Sequence, residues 1–112
     1  MESLRKLTIH EAGSLIERGA LDPRNLLNLL IARIERLNPS IYAYIELNID
    51  RLHKQLEARL NTGPRGKLFC IPITIKDNIC VKGEETACAS KILSSFRPPY
   101  HATVVDRLLT AG

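Results

Sequence analysis

Aliphatic side chains recur at helical spacing in the first third of the chain, and this pattern is the strongest constraint on the fold. Between Asp22 and Asn38 the recurring positions are Leu26, Leu27, Leu30, Ile31, Ile34 and Leu37. Steps of three and four residues place such side chains on one face of a helix. Asp22 is a favourable N-cap, and Pro23 loses no hydrogen bond in the first turn. The Asn38-Pro39 pair predicts the end of this helix.

Two shorter helices are predicted on either side of it. Thr8 and Glu11 have the spacing of a capping box, in which each side chain bonds the backbone of the other residue. Ala12, Leu15 and Ile16 then share one face, and Gly19 suits a C-terminal cap. A further helix begins at about Asn48 and ends at the break formed by residues 61–64. Its apolar face is predicted to contain Ile49, Leu52, Leu56 and Leu60.

Two segments have strand character. Residues 41–47 alternate between apolar and other side chains, and residues 70–76 are rich in β-branched side chains. Pro72 restricts the second strand to an edge, an end or a bulge. Because an isolated pair of strands is only marginally stable in water, these two need further strands. We therefore expect the chain to be one part of a longer domain.

The segment that follows Lys76 has weaker regularity. Residues 77–100 are predicted to be irregular, with Gly83 and the Pro98-Pro99 pair as breaks. A last helix is predicted from about His101 to Thr110. Its inward side chains are predicted to be Val104, Val105, Leu108 and Leu109.

Composition and charge exclude several classes of protein. Hydrophobic residues make up 45% and charged residues 25%, which is typical of globular chains, while aromatic residues make up only 4% and predict an aliphatic core. The first six residues lack the apolar segment of a secretory signal, and no run is long enough to cross a bilayer. The net charge of +4 is evenly spread, which gives little support to nucleic-acid binding as the primary role. Three cysteines without zinc-site or C-x-x-C spacing favour a reducing compartment.

Two segments could carry chemistry. Residues 63–67 superficially suggest a phosphate loop, but their spacing does not fit it and Leu68 replaces the required hydroxyl residue, so a basic turn is expected. Lys76 closes the second predicted strand, directly before Asp77-Asn78. One interpretation is a lysine that enters solvent at the start of a turn. The other is a buried lysine that accepts a proton from a hydroxyl nucleophile.

The residues around Lys76 resemble the strand-to-loop motif of the amidase signature family, G-x-L-x-G-I-P-x-x-x-K-D-N-I. The resemblance continues beyond this motif to the end of the chain, and the helices around Asn38-Pro39 and residues 42–44 fit the N-terminal region of the same family. The matching segments are residues 66–79, 82–83, 86–93, 98–105 and 111–112. Within the family, residues 88–91 and 98–100 are most similar to the A subunits of glutamyl/aspartyl-tRNA amidotransferases.

The resemblance implies an α/β fold, with N-terminal helices and the first strands of the incomplete mixed sheet of the amidase signature fold. Residues 1–112 would then be the N-terminal part of a single amidase domain. Within it, residues 1–63 would form a helical layer, and residues 64–112 would contain the strand, the lysine loop and the following helix.

The resemblance also implies a Ser–cis-Ser–Lys triad, in which Lys76 relays a proton through the middle serine to the nucleophile. Both serines and the oxyanion segment would lie further along a longer chain, since Ser90, Ser94 and Ser95 lack the family's Gly-Ser-rich context. Because a triad without its nucleophile retains only residual catalysis, these 112 residues are expected to be inactive alone.

Partners and cofactors are implied in the same way. The implied reaction is glutamine hydrolysis, with the ammonia passed on for transamidation of glutamyl-tRNA(Gln) or aspartyl-tRNA(Asn). B-type and C-type subunits would be the protein partners, and tRNA would be involved only indirectly. No cofactor or metal is expected in this chain, since ATP and Mg²⁺ belong to the partner subunit, and no membrane is involved. The expected compartment is the cytoplasm, or a mitochondrion or plastid in a eukaryote.

Three residues depart from the family pattern. Phe69 and Cys70 replace the usual His-Gly, and His101 replaces a common Asp that would be a better N-cap. Two other interpretations stay open at this point. The chain could belong to another amidase signature hydrolase that acts on small amides, or it could be a non-catalytic interaction fragment with an exposed sheet edge and apolar face.

Overall fold

The computed structural model describes Leu4 and residues 6–112. In this part of the chain it contains four α-helices: α1 (Ile9–Glu17), α2 (Pro23–Ile41), α3 (Ile49–Thr62) and α4 (Thr103–Thr110). The described residues form two compact units, one extending to Pro72 and including Gly112, the other spanning Ile73–Ala111. The predicted subdivision of one amidase domain at residue 63 stays a prediction. The N-terminal segment used to argue against a secretory signal lies partly outside the described residues.

The predicted helix starts are confirmed in atomic detail. The Thr8 hydroxyl accepts a hydrogen bond from the Glu11 amide at 3.2 Å, and the Glu11 carboxylate accepts one from the Thr8 amide at 2.7 Å, which completes the capping box of α1. The Asp22 carboxylate accepts from the Arg24 amide at 2.8 Å at the start of α2. Asn48 caps α3 in the same way. These bonds satisfy amides that have no partner inside their own helix.

The predicted end of α2 at Asn38-Pro39 is wrong, because the helix continues through Pro39 to Ile41. A proline removes one donor, and in the last turn of a helix this costs little. The amide of Tyr42 closes that turn with a 2.7 Å bond to the Asn38 carbonyl, and Tyr42 itself is left-handed, with φ 54°. Asn38 then fixes the departing chain, since its side chain donates to the Tyr44 carbonyl and accepts from the Tyr44 amide, both at 2.9 Å.

The strand predicted over residues 41–47 is not formed. Ile41 is the last residue of α2, and residues 42–48 have no regular secondary structure. The physical reason is that the Asn38 side chain already bonds both backbone groups of Tyr44, which a neighbouring strand would otherwise engage. Ile45 consequently remains 79% exposed.

The strand predicted over residues 70–76 is also not formed, so the mixed sheet is not confirmed; the described residues contain no strand. Local partners take the first amides of the segment: Cys70 donates to the Gly112 carbonyl and Ile71 donates to the Leu68 carbonyl. Pro72 has no amide hydrogen to donate. Without a second strand beside it, the segment 71–76 stays extended but irregular.

The core of the first unit lies between α2 and α3. Its buried cluster consists of Leu27, Ile31, Leu56 and Cys70, and partly buried aliphatic side chains and Phe69 pack around it. The predicted apolar faces of both helices are thus the faces that meet. Arg24 of α2 also forms a forked pair with Glu57 of α3, with nitrogen-to-oxygen distances of 2.6 and 2.9 Å.

The second unit has much less buried apolar surface. In α4, Val105 is buried at 4% exposure, whereas Val104 is 50% exposed and Leu109 is 36% exposed. The prediction that all four apolar residues of this helix face inward is therefore wrong for two of them. Adjacent valines lie about 100° apart around a helix, so a short helix that packs along one line buries only one of the two.

Candidate active site

Lys76 lies at the end of the extended segment 71–76, and its side chain is exposed. Its carbonyl accepts a 3.0 Å hydrogen bond from the amide of Ile79, so the predicted turn over Lys76-Asp77-Asn78 is confirmed. Near neutral pH an amine in water carries its proton and accepts no other. In the described chain, Lys76 therefore has the geometry of the solvent-directed interpretation, and its catalytic role stays a prediction.

Asp77 bonds a second segment that lies ten residues further along. Its carboxylate accepts hydrogen bonds from the amides of Ala87 at 3.2 Å and Ala89 at 3.3 Å. Its backbone carbonyl accepts a third bond from the amide of Cys88 at 3.4 Å. The sequence predicted a turn at Asp77-Asn78 but not this longer connection. No periodicity relates the two segments, so sequence spacing carries no signal for it.

Further hydrogen bonds link residues 82–86 to residues 95–101. The Gly83 amide donates to the Pro98 carbonyl at 3.0 Å, and the Arg97 guanidinium donates to the Gly83 carbonyl at 2.8 Å. The buried Thr86 donates its amide to the Phe96 carbonyl at 2.9 Å. The loop region that carries Lys76 is thus held mainly by polar contacts, although its sequence predicts no regular structure.

His101 has a different role from the one expected of an N-cap. Ala102 is the N-cap of α4 and offers no side-chain hydrogen bond. The Nδ1 atom of His101 instead accepts a 3.0 Å bond from the Lys82 amide. An aspartate also offers an acceptor to such an amide, so the departure at position 101 preserves the kind of atom that this contact needs.

Cys70 occupies a position with glycine-like geometry. Its φ is +57°, in the left-handed region that glycine adopts most easily, and its side chain is only 4% exposed. Burial raises the pKa of its thiol, although nearby Arg65 opposes this effect. Phe69, the neighbouring departure, lies under the Arg65 guanidinium at 4.5 Å from the ring centre. The family's usual glycine at position 70 therefore matches the backbone observed here.

The serines of this region do not complete a triad in the described structure. The Ser94 hydroxyl donates to the Lys91 carbonyl at 2.7 Å, and no serine in the described residues hydrogen-bonds the Lys76 amine. Among the same residues there is no group of three or more His, Cys, Asp and Glu side chains that could hold a metal ion. No helix there has the length and apolar character needed to cross a membrane.

Comparison with known proteins gives the family of the chain. A family described as Amidase matches residues 25–112, which include Lys76, Asp77 and the bonded segments around them. The chain belongs to the amidase family. The match covers α2, α3 and α4, so both compact units contribute to the part that this family shares.

Curated relatives within the amidase family agree in name. The chain is 38% identical over 109 residues to the A subunit of the glutamyl-tRNA(Gln) amidotransferase of Halothermothrix orenii, covering 97% of this chain and 22% of the relative. It is 40% identical to the corresponding A subunits of Desulfosudis oleivorans and Natranaerobius thermophilus, with 95% and 97% of this chain covered. The chain thus corresponds to the N-terminal part of these relatives and spans less than a quarter of their length.

Proposed function

We propose that the chain is the N-terminal part of a glutamine-hydrolysing amidase subunit. The observation that carries this proposal is the 38–40% identity to the A subunits of glutamyl-tRNA(Gln) amidotransferases across nearly the whole chain. In the proposed reaction, water hydrolyses the side-chain amide of glutamine, and glutamate and ammonia are the products. The ammonia then serves for the transamidation of glutamyl-tRNA(Gln) or aspartyl-tRNA(Asn).

Lys76 is the residue of this chain to which we assign a catalytic role, as the proton acceptor of the amidase triad. The nucleophilic hydroxyl loses its proton as it attacks the amide carbon, and the proton passes through the second serine to Lys76. The same route returns a proton to the departing ammonia. A lysine can accept the proton near neutral pH only when burial disfavours its ammonium form. The exposed Lys76 of the described chain needs further structure around it to reach that state.

The same reasoning supports inactivity of residues 1–112 alone. The described residues contain no serine that bonds Lys76, and an exposed ammonium is a poor general base. We therefore expect the purified 112-residue chain to release no ammonia from glutamine. B-type and C-type amidotransferase subunits are the proposed partners, and ATP and Mg²⁺ would act on the partner that receives the ammonia.

The proposal is tested in a chimeric subunit, in which residues 1–112 replace the segment that they match in the Halothermothrix orenii relative. Ammonia release is measured with glutamine and with small aliphatic amides, in the presence and absence of B-type and C-type subunits and glutamyl-tRNA(Gln). The proposal predicts glutamine hydrolysis that increases with these partners. Hydrolysis of small amides without glutaminase activity, or a folded chimera that hydrolyses neither, contradicts it.

A further inference from the structure

Three consecutive backbone amides converge on Asp77. Those of Ala87 and Ala89 donate to its two carboxylate oxygens, and that of Cys88 donates to its carbonyl. Carboxylate acceptors make stronger hydrogen bonds to amides than neutral acceptors do. Asp77 therefore links the turn that begins at Lys76 to a segment that is distant in sequence.

The segment that Asp77 holds has an unfavourable backbone conformation. Cys88 and Ala89 both have positive φ values, of 51° and 57°, although neither is glycine. Left-handed conformations of residues with a β-carbon persist only when surrounding contacts hold them. The bonds to Asp77 supply such contacts at both residues. The turn is closed on its far side by the Ser90 amide, which donates to the Ala87 carbonyl at 2.8 Å.

The position of Lys76 depends on these contacts through the backbone. The peptide that joins Lys76 to Asp77 is fixed on one side by the Ile79 amide, which bonds the Lys76 carbonyl, and on the other by the three bonds to Asp77. Fixing this peptide fixes the direction in which the α-carbon of Lys76 presents its side chain. A proton acceptor that is displaced by about 1 Å can cost about a hundredfold in rate.

We propose that Asp77 is a positioning residue for Lys76 in amide hydrolysis, and this inference rests on the proposed catalytic role of Lys76. Asp77 does not exchange protons with the substrate in this account. It holds the Ala87–Ala89 turn, defined as residues 87–89, against the lysine turn, so that Lys76 keeps its orientation through the reaction. A purely structural role would instead affect only the stability of the two turns.

The test uses the chimeric subunit with the variants Asp77→Ala, Asp77→Asn and Lys76→Ala. Asp106→Asn is the control, because Asp106 is an exposed acidic residue of the same compact unit. Asp77→Ala removes both carboxylate acceptors, whereas Asp77→Asn keeps one carbonyl oxygen. Each protein is measured for kcat and KM with glutamine, and for hydrogen exchange by mass spectrometry in peptides that cover residues 85–93.

For Asp77→Ala we expect faster exchange in the 85–93 peptides and a fall in kcat of about a hundredfold with little change in KM. Asp77→Asn should give intermediate values of both quantities, and Asp106→Asn should match the parent. If Asp77→Ala does not fold, the graded response of Asp77→Asn tests the same point. Unchanged exchange in both Asp77 variants overturns the inference, and so does faster exchange with an unchanged kcat. Full activity of Lys76→Ala instead rejects the proposed catalytic residue, whatever the exchange results for Asp77.

Discussion

The two compact units of the chain are stabilised in different ways. In the unit that extends to Pro72, three helices bury aliphatic side chains, and Leu27, Ile31, Leu56 and Cys70 form a continuous cluster. In residues 73–111 the buried residues are Thr86, Pro98 and Val105, and a network of backbone and side-chain hydrogen bonds holds the loops. The candidate catalytic lysine lies in the second kind of structure.

This difference has a consequence for function. Burial of apolar area tolerates many sequences, whereas a network of polar contacts fixes individual atoms and depends on individual residues. Loops on a stable scaffold are common positions for catalytic residues. We therefore expect substitutions in the helical unit to change mainly stability, and substitutions around Lys76 and Asp77 to change mainly activity.

The largest expected effect on stability is that of Leu27→Ala. Leu27 is 5% exposed within the α2–α3 cluster, so its truncation should lower the free energy of unfolding by about 2–5 kcal/mol. Ile92→Ala is the matched substitution in the second unit, since Ile92 is 93% exposed, and it should change stability by less than about 0.5 kcal/mol. Urea titration followed by far-ultraviolet circular dichroism measures both. Equal losses for the two variants would mean that the helical unit does not contain the principal core.

The next effect concerns the reactivity of the cysteines. Cys70 is buried in the helical unit and burial raises the pKa of its thiol, whereas Cys88 is exposed in the second unit. A thiol-specific reagent attacks the thiolate and must also reach it, so Cys88 should react on the order of tenfold faster than Cys70 or more. Peptide mapping after timed labelling gives the order. A Cys70 that reacts as fast as Cys88 would show that the first unit opens as readily as the second.

A smaller effect is expected from the ion pair between α2 and α3. Hydrogen bonds from Arg24 lower the pKa of Glu57 from its ordinary value of 4.5. The unfolded chain therefore binds more protons here than the folded chain, so this contribution to stability is present above pH 4.5 and is lost as the pH falls through the lowered pKa. Since both side chains are about half exposed, the contribution is modest and decreases with added salt.

Urea midpoints measured between about pH 3 and pH 7 check this effect. Glu57→Gln should flatten part of the acid-side decrease in stability, whereas Glu46→Gln, which changes an exposed acidic residue outside the helices, should leave the decrease unchanged. A pH profile that is the same for Glu57→Gln and the parent would contradict the assignment of this contribution to the ion pair.

The helices could be predicted from the sequence because their signals are local. The capping box of Thr8 and Glu11 and the N-cap of Asp22 each involve residues two or three positions apart. The end of α2 was mispredicted because the general effect of proline ignores its position in the last turn, and because Asn38 captures Tyr44. The strands were mispredicted because β-branched content favours a strand but does not supply the neighbour that a strand needs.

The candidate site was predictable only in part. The motif around Lys76 identified the family, and the turn after Lys76 followed from Asp77-Asn78. The contacts of Asp77 with residues 87–89 and of His101 with Lys82 join segments ten or more positions apart through irregular chain, and no periodic pattern encodes them. Cys70 shows a third case, in which a family glycine was recognised as a position of close backbone approach, while its left-handed φ became visible only in the structure.

The most direct test of the central claim compares two lysine substitutions in the chimeric subunit. Lys76→Ala removes the proposed proton acceptor, and Lys91→Ala removes a lysine of the same compact unit that has no part in the proposed triad. The account predicts that Lys76→Ala lowers kcat for glutamine hydrolysis by about 10²–10⁴-fold, the usual contribution of a general base, while Lys91→Ala retains the parent activity. Equal activity of the two variants would contradict the account.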